Sequence, residues 1–338
     1  MERRIDLKAA TVYIDRLLNG PSNSENSKKA KEDALSVLVE YDGSSYAAKW
    51  LRLALELANK ELQLLEEGYS SAGYGVVSLR YQLVTPGLVG VGAGLFRSLF
   101  EVGLSIDPVL GLPYYPGSGI KGAVRAITET VLDRKTADLL FGSTGEEGSA
   151  SAIVFSDMYP IGCTKDRCSI FRGLVVTPHY HYQGKPVANE LVAMPVPVQH
   201  IGIEEGTVFG LVIAIHPIRA KHVVARLKLL DCEPVPESLR ELCSLIKTRA
   251  SSVSDPIHSV ALTSILLLDS VLAYGIASRS TKGYNIFEPS SGPHAEFTLL
   301  GYRYKYHQGK LQRQRSSSMQ RRHRNEYPRR RNFRRRYR

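Results

Sequence analysis

Two glycine-rich segments carry the side chains in this sequence that are best suited to bind an anion. Residues 111–125 are GLPYYPGSGIKGAVR, and residues 275–284 are GIASRSTKGY. Glycine allows a ligand to approach the backbone closely, and a helix N-terminus offers free N–H groups and the positive end of a dipole. Lys121 and Arg125 are four residues apart, so both should project from one face of the helix predicted here. These features favour a phosphate ligand.

The first segment has a second interpretation. It lacks the G-x-x-x-x-G-K-[ST] spacing of a Walker loop. A glycine-rich turn before a helix is often only a structural cap, for which Ser118 is the candidate N-cap. Phosphate binding and plain capping both stay open on this pattern.

The second segment offers hydrogen-bond donors without a carboxylate. Arg279 and Lys282 are interleaved with Ser278, Ser280 and Thr281. Such a cluster suits a polyanion and gives no carboxylate for acid–base work. The alternative is a solvated loop after a helix, with Gly275 ending that helix.

The net charge of +11 is distributed very unevenly. Residues 302–338 hold 15 basic residues and one acid, a net +14, so the first 301 residues carry −3. From residue 312 onward there is no Leu, Ile or Val, and 12 of 27 residues are Arg. Because such a segment cannot bury enough surface to offset its chain entropy, we expect disorder from about 312. Glycine loops with cations and an arginine-rich end together indicate a nucleic-acid backbone as ligand.

His179, Tyr180 and His181, with Asp157 upstream, are the candidates for a metal or acid–base site. In a strand, H-x-H places both rings on one face, where they can equally be structural. No carboxylate cluster accompanies them, so we expect no metal and no cofactor. Asp157 ends a predicted strand and is interpreted as a turn or cap residue.

The composition sets the class and the compartment. With 43% apolar residues the chain can build a core, which excludes a fully disordered or collagen-like protein. No run approaches the roughly 20 apolar residues of a membrane span, and no signal peptide is evident, so a cytoplasmic location is expected. The spacings Cys163/Cys168 and Cys232/Cys243 do not match zinc knuckles. We expect free thiols, or a Cys163–Cys168 loop disulfide if the organism is a hyperthermophile.

Hydrophobic periodicity predicts interspersed helices and strands, an α+β arrangement. Residues 1–70 are predicted to be helical around a polar linker at 19–33. Residues 76–84 alternate like a half-buried strand, with Val77, Leu79, Tyr81 and Leu83 on one face. Further predicted strands span 150–157, 172–177, 207–215 and 297–304, and further predicted helices span 123–132, 220–230, 236–249 and 258–274.

The order of several motifs resembles the RAMP superfamily of CRISPR-associated RNA-binding proteins. These motifs are GLPYYPGSGIKGAVR (111–125), LFG (140–142), VFSDMYP (154–160), TPHY (177–180) and GIASRSTKGYNIF (275–287). Within the superfamily they look most like the sixth subunit of the type III-B, or Cmr, effector complex. The resemblance implies a ferredoxin-like, RRM-like core over 71–301, between the N-terminal helical segment (1–70) and the Arg-rich tail (302–338).

The resemblance also implies a function. The protein would be a non-catalytic subunit that binds guide RNA near its 3′ end and helps to form the channel for target RNA. Its partners would be guide RNA, target RNA and other Cmr subunits, with no membrane. The alternatives are a metal-independent guide-processing endoribonuclease, with His179, Tyr180 and Lys121 in acid–base roles, and an RNA chaperone or ribosome-associated protein that acts through its tail.

The predicted RNA contacts form two groups. The loops would supply Gly117, Ser118, Lys121, Gly122, Arg125, Gly275, Ser278, Arg279, Lys282, Gly283 and Tyr284. The tail would add Arg321, Arg322, Arg324, Arg329, Arg330, Arg331, Arg334, Arg335 and Arg336 as an auxiliary anchor. The final loop departs from the family pattern, because Ala277, Arg279 and Asn285 stand where glycine, lysine and glycine are usual.

Overall fold

The protein has a mixed α+β architecture. The computed structural model describes residues 25–26, 29–30, 32–34, 46–90, 103–145, 148–164, 169–176, 181–182, 185–186, 198–290, 295–299, 302–307 and 310–315. The long helices are α1 (Tyr46–Ser71), α2 (Gly117–Val131), α3 (Arg134–Phe141), α4 (Pro217–Lys228), α5 (Glu237–Ser252) and α6 (Pro256–Tyr274). The strands are β1 (Gly75–Leu83), β2 (Ile153–Phe155), β3 (Tyr159–Cys163), β4 (Phe171–Val176), β5 (His181–Tyr182), β6 (Lys185–Pro186), β7 (Val198–Ile203), β8 (Thr207–Ile215), β9 (Phe287–Pro289), β10 (Ala295–Leu299), β11 (Tyr302–His307) and β12 (Lys310–Arg315).

The main sheet is antiparallel and is built around β1 and β8. Its strand order is β12-β11-β10-β1-β8-β2, with β3 also paired to β8 and β9 also paired to β1. β1 and β8 pair along almost their whole length, from Gly75 opposite Ile215 to Gln82 opposite Val208. β4 pairs with β7, and β5 pairs with β6, outside this sheet.

The alternation predicted for β1 is confirmed. Val77, Leu79, Tyr81 and Leu83 are buried in the main core, which also contains the apolar faces of α2 and α6. On the other face Val76 packs with Leu62 of α1 and Val212 of β8. Alternate residues of β1 therefore point to opposite faces of the sheet. One face meets the main core with α2 and α6, and the other meets Leu62 of α1.

Helix α6 is a core helix. By length and composition this 19-residue helix could cross a membrane, since an 18-residue window of it has a mean hydropathy of 1.6, but 56% of that window is buried inside the protein. Its buried residues include Ile265, Leu268 and Leu272. The Tyr81 hydroxyl donates a 2.6 Å hydrogen bond to the Asp269 carboxylate, which gives the one acid of the helix a partner. The apolar character of α6 is thus accounted for by the core.

Two sequence expectations about irregular segments are wrong where the structure describes them. In the predicted linker 19–33, residues 25–26, 29–30 and 32–33 are helical, and Ala30 and nearby Ala34 are fully buried. The lysines and glutamates there have good helix propensity, and an i,i+4 alanine pair gives the helix a face to bury.

The predicted last strand, 297–304, overlaps two strands in the structure, β10 and β11, and a further strand, β12, follows them. β11 pairs with β10, and β12 pairs with β11 from Lys310 to Arg315, which includes residues expected to be disordered from about 312. Sheet pairing uses backbone groups and needs few apolar side chains, so composition alone missed it. Residues 316–338 lie outside the described part of the chain.

The expectation of free thiols is also wrong. Cys232 and Cys243 form a disulfide with an S–S distance of 1.98 Å, and Cys163 is disulfide-bonded too. Cys232 follows α4, and Cys243 lies on the buried face of α5, so the packing of these two helices brings the sulfurs together. Sequence spacing could not show this pairing, since it depends on the angle at which the helices meet.

Candidate nucleic-acid interface

The N-terminus of α2 is capped by a carboxylate from another segment. Asp157 Oδ1 accepts a 2.6 Å hydrogen bond from the backbone N–H of Gly117. The N-cap residue is Pro116, without a side-chain capping bond, and Ser118 is exposed, so the prediction of Ser118 as N-cap is wrong. Asp157 instead has the capping role predicted for it. The N–H group that we expected to meet a phosphate is therefore already paired with a negative charge.

Further acidic groups lie close to this helix end. Burial raises the pKa of Glu61, and the charges of Asp107 and Asp157 raise it further. The Tyr159 hydroxyl donates a 3.0 Å hydrogen bond to Asp107 Oδ2. Among the described residues, no group of three or more His, Cys, Asp or Glu side chains is arranged to hold a metal ion. The negative potential here disfavours an anion at the first turn of α2.

Lys121 and Arg125 do lie on one side of α2, as their spacing predicts. Both line a depression together with Arg134, Asp138 and the hydroxyl-bearing residues Ser143, Thr144, Ser149 and Ser151. The hydroxyls of Ser149 and Ser151 already donate to backbone carbonyl oxygens, so the cations are the groups of this depression best suited to phosphate oxygens. The two cations nevertheless have different surroundings.

Arg125 is already paired with groups of the protein itself. Its guanidinium forms ion pairs with Glu129, at 2.9 Å, and with Asp138, and it donates a 2.6 Å hydrogen bond to the Gly142 carbonyl. The hydrogen bond to Asp138 raises the pKa of Arg125 above its ordinary value, although burial acts in the opposite direction. Arg125 thus fastens α2 to α3, whereas Lys121 makes no ion pair with any described residue. The RNA contact predicted for Arg125 stays a prediction.

The glycines of α2 differ in the same way. A Cβ at Gly117 would lie 2.5 Å from the Ser156 carbonyl oxygen, so the fold itself requires glycine there. At Gly119 and Gly122 a Cβ would meet nothing within 4 Å. A glycine inside a helix costs about 1 kcal/mol relative to alanine, and the packing of the chain does not explain that cost at Gly122. Its open backbone is accessible to a ligand.

The second segment, Gly275 to Asn285, is here called the cation loop. Gly275, with φ 89°, ends α6, and a single 3₁₀ turn at Ser280–Lys282 lies between Arg279 and Gly283, both in left-handed conformation. Arg279, Lys282 and Gly283 are exposed, Ser278 is half-buried, and Tyr284 packs against the core. Neither Arg279 nor Lys282 has an ion-pair partner among the described residues. The loop therefore presents two cations that the fold does not neutralise.

Asn285 anchors the cation loop. It is fully buried with φ 60°, and all four hydrogen-bonding positions of its side-chain amide are filled. Oδ1 accepts from the Leu88 N–H at 2.6 Å and from the Tyr115 hydroxyl at 2.8 Å. Nδ2 donates to the carbonyl oxygens of Leu88, at 3.1 Å, and Ser278, at 2.6 Å. One side chain thus joins the cation loop to the segment after β1 and to the loop before α2.

The residues that replace family glycines keep a glycine-like backbone. Ala277 and Asn285 both have positive φ, 61° and 60°. Asparagine adopts this conformation more readily than most residues because its short side chain can bond locally. Both positions therefore have the positive φ that glycine adopts readily. Sequence reasoning missed the anchoring role of Asn285.

The sequence profile of the RAMP superfamily matches residues 80–336, about three-quarters of the chain. The chain belongs to the RAMP superfamily. The matched RAMP region includes both α2 and the cation loop. The family implied by the sequence motifs is thus confirmed.

This RAMP chain is similar to a curated relative and to solved structures. It is 31% identical over 189 residues to the CRISPR system CMR subunit Cmr6 of Saccharolobus solfataricus, an alignment that covers 56% of this chain and 63% of that protein. It shares a fold, with a TM-score of 0.54 and 23% identity, with a chain of the type III-B Cmr-beta complex bound to cognate target RNA, over 90% of this chain and 81% of that one. The crystal structure of Cmr6 from Pyrococcus furiosus is less similar, with a TM-score of 0.30 and 15% identity over 63% of this chain and 97% of that one.

Several predicted residues of the RAMP chain fall outside the described part. These are His179, Tyr180 and the tail arginines from Arg321 to Arg336. His181 lies in the short strand β5. Their predicted roles therefore stay predictions.

Proposed function

We propose that this RAMP protein is a non-catalytic RNA-binding subunit of a type III-B CRISPR effector complex, equivalent to its sixth (Cmr) subunit. It would bind guide RNA near the 3′ end and help to form the channel for target RNA in antiviral defence. The similarity to Cmr6 and the fold shared with a chain of a target-RNA-bound Cmr complex support this proposal. Other Cmr subunits as partners, a cytoplasmic location and independence from a cofactor belong to the same proposal.

The strand order supports a ferredoxin-like core within this proposal. Along the chain, β1 is followed by α2, then by β2 and β3, then by β8, by α4 to α6, and by β9 and β10. The chain thus supplies four strand positions: β1 is the first, β2 and β3 the second, β8 the third, and β9 and β10 the fourth. In the sheet these positions have the order 4-1-3-2. A β-α-β-β-α-β chain of this kind is the ferredoxin-like motif.

The observation that carries the RNA-binding proposal is the cation loop. Arg279 and Lys282 are exposed on a short turn. Asn285 fixes the backbone of the loop that carries them, and no described carboxylate neutralises their charges. Lys121, which is half-buried, is a third cation without an ion-pair partner among the described residues, and it lies on a helix with an open glycine backbone. Backbone phosphates are the ligands that such cations bind without regard to sequence. This suits a subunit whose guide is read by base pairing.

Salt dependence of RNA binding tests the cation loop. The probe is a labelled single-stranded RNA titrated with the whole protein at several salt concentrations. Arg279→Ala with Lys282→Ala should reduce the slope of log affinity against log salt by about 0.7 for each phosphate that the variant no longer neutralises. The matched control is Lys228→Ala with Arg249→Ala, two exposed cations on α4 and α5. A slope reduced equally by both pairs, or by neither, would overturn the assignment of the loop.

The tail is tested by deleting residues 316–338, which leaves β12 intact. Because this segment is rich in arginine, its removal should weaken RNA binding and lower the salt slope without changing which RNA is bound. An unchanged slope would show that the tail makes no phosphate contacts. Binding by the isolated tail as tight as that of the whole protein would instead favour the chaperone alternative.

The non-catalytic part of the proposal has its own test. Labelled CRISPR repeat RNA is incubated with the purified protein in EDTA, and intact RNA is expected. Cleavage that disappears in His179→Ala would replace this proposal with the endoribonuclease alternative.

A further inference from the structure

Tyr274 is the most exposed large hydrophobic residue in the described part of the chain, with 80% of its surface accessible. It is the last residue of α6 and directly precedes Gly275. No other described aromatic ring stacks on it, unlike Tyr114 and Tyr159, whose ring centroids are 5.6 Å apart. A single exposed apolar residue is ordinary by itself. What distinguishes Tyr274 is its position beside the cation loop.

The fold brings the cations of that loop back to the end of α6. A Cβ at Gly275 would lie 3.3 Å from Cβ of Ser280, so the 3₁₀ turn packs directly against the residue after Tyr274. Arg279 and Lys282 lie one residue before and two residues after Ser280. Backbone hydrogen bonds from Lys282 and Tyr284 to the Arg279 carbonyl, at 2.9 and 3.4 Å, hold this turn closed. One end of α6 therefore presents an aromatic ring and two cations together.

We infer that Tyr274 is a stacking platform for one base of a single-stranded RNA, with Arg279 and Lys282 holding the adjoining phosphates. This inference rests on the proposed function and adds a base contact to a site otherwise made of phosphate contacts. Proteins that bind single strands without sequence preference combine aromatic faces with a cationic path for the backbone. Stacking on a ring tolerates any base, so the platform fits an RNA whose sequence changes from guide to guide.

The charge beside the ring favours RNA over a protein partner as its occupant. Two exposed cations that lack ion-pair partners among the described residues suit an anionic ligand, and a nucleotide supplies a flat base and a phosphate within one unit. An apolar patch for a partner subunit would need further exposed apolar side chains at this end of α6. Ala273, the neighbouring exposed residue of α6, is too small to provide such a patch.

The test compares two polyanions. Binding of a fluorescein-labelled 20-nucleotide single-stranded RNA and of inorganic polyphosphate is measured for Tyr274→Ala, Tyr274→Leu and Tyr274→Phe. Loss of one stacked base should weaken RNA binding by about 5- to 140-fold in the Ala variant, and by a similar factor in the Leu variant. The Phe variant should bind as the wild type does. Polyphosphate binding and the salt slope should be unchanged in all three, because no charge is removed.

Controls separate this inference from the proposed function. Leu229→Ala removes another exposed apolar side chain, 74% accessible at the end of α4, and should leave RNA binding unchanged. Arg279→Ala should weaken the binding of RNA and polyphosphate alike. If Tyr274→Ala binds RNA normally while Arg279→Ala does not, the platform is overturned and the proposed function stands. If neither variant has an effect, the cation loop is not the RNA site.

A second measurement maps the contact directly. RNA that contains 5-iodouridine is irradiated with the wild-type protein, and the crosslinked peptide is identified by mass spectrometry. A crosslink at Tyr274 is expected, and crosslinks confined to other aromatic residues would overturn the inference. Equal RNA affinity for the Tyr274→Leu variant and the wild type would also overturn it, because the ring would then act only as apolar surface.

Discussion

The cation loop and the first turns of α2 look alike in sequence, yet the fold treats them differently. Both contain glycines and two cations within a few residues. In α2 the leading N–H is capped by Asp157, and Arg125 is paired with Glu129 and Asp138. In the cation loop Arg279 and Lys282 are exposed and unneutralised among the described residues. The difference shows that the capacity to bind an anion depends on the carboxylates that the fold brings near.

The largest expected effect is at the anchor of the cation loop. Asn285→Leu removes four side-chain hydrogen bonds, leaves the Leu88 N–H and the Ser278 carbonyl unpaired, and strains a residue with positive φ. We expect the free energy of unfolding to fall by about 3–5 kcal/mol, as measured by urea denaturation. Asn285→Gly, which relieves the backbone strain, should lose less. Equal stability of the Leu variant and the wild type would contradict the anchoring role.

The second prediction separates the two cations of α2. Arg125→Ala leaves Asp138 and the Gly142 carbonyl without their partner, so the free energy of unfolding should fall by about 1–2 kcal/mol. Lys121→Ala should leave stability unchanged and weaken RNA binding. Thermal denaturation and RNA titration of both variants test this division. A stable Arg125→Ala variant with impaired RNA binding would reverse the roles assigned to the two side chains.

The third prediction concerns the dependence of stability on pH and two buried phenols, Tyr115, which bonds to Asn285, and Tyr81. Burial raises the pKa of Tyr115 above its ordinary value, and burial with the nearby Asp269 carboxylate does the same to the pKa of Tyr81. The unfolded chain therefore releases these protons first, so stability is retained below about pH 10 and falls as the pH rises further. Each phenol should contribute a loss of about 1.4 kcal/mol at pH 11.

Tyr115→Phe tests that contribution. Its hydroxyl donates to Asn285, so the variant should be less stable at pH 8 and should lose less further stability between pH 9 and pH 11 than the wild type. Urea denaturation across this range measures both effects. The same pH dependence in the variant and the wild type would mean that Tyr115 does not titrate on unfolding.

The smallest expected effect is at Gly122. Nothing lies within 4 Å of a Cβ at this exposed helical position, so Gly122→Ala should stabilise the protein by about 0.8–1 kcal/mol. If RNA approaches this backbone, its affinity should fall while the melting temperature rises. Gly117→Ala is the contrast, because its Cβ would clash with the Ser156 carbonyl and destabilise the fold. A stabilised Gly122→Ala variant with unchanged RNA binding would remove α2 from the proposed interface.

Elements with strong periodicity were predictable from the sequence. The strand at 207–215 has the predicted bounds, and the alternation of Val77, Leu79, Tyr81 and Leu83 places them in the core as expected. Helix α6 was predicted within two residues of its start. Local patterns suffice here because burial of one face, or of a whole segment, fixes the residue types along the chain.

The errors concern pairings, some between neighbouring segments and some between distant ones. The Cys232–Cys243 disulfide, the pairing of β12 with β11 and the hydrogen bonds of Asn285 each join parts of the chain whose contact composition and periodicity did not show. Asn285 is the clearest case, since its partners at Leu88 and Tyr115 are 197 and 170 residues away. From the sequence it was only a departure from a glycine.

The sequence alone determined the family, the mixed helix and strand content and the choice of glycine loops with cations as the candidate site. Those features depend on residue type and short-range spacing, which are written along the chain. Only the tertiary structure decided which cations are available. Ion pairing requires a carboxylate within about 4 Å in space, and folding brought Asp138 to Arg125 but left Arg279 and Lys282 exposed beside Tyr274.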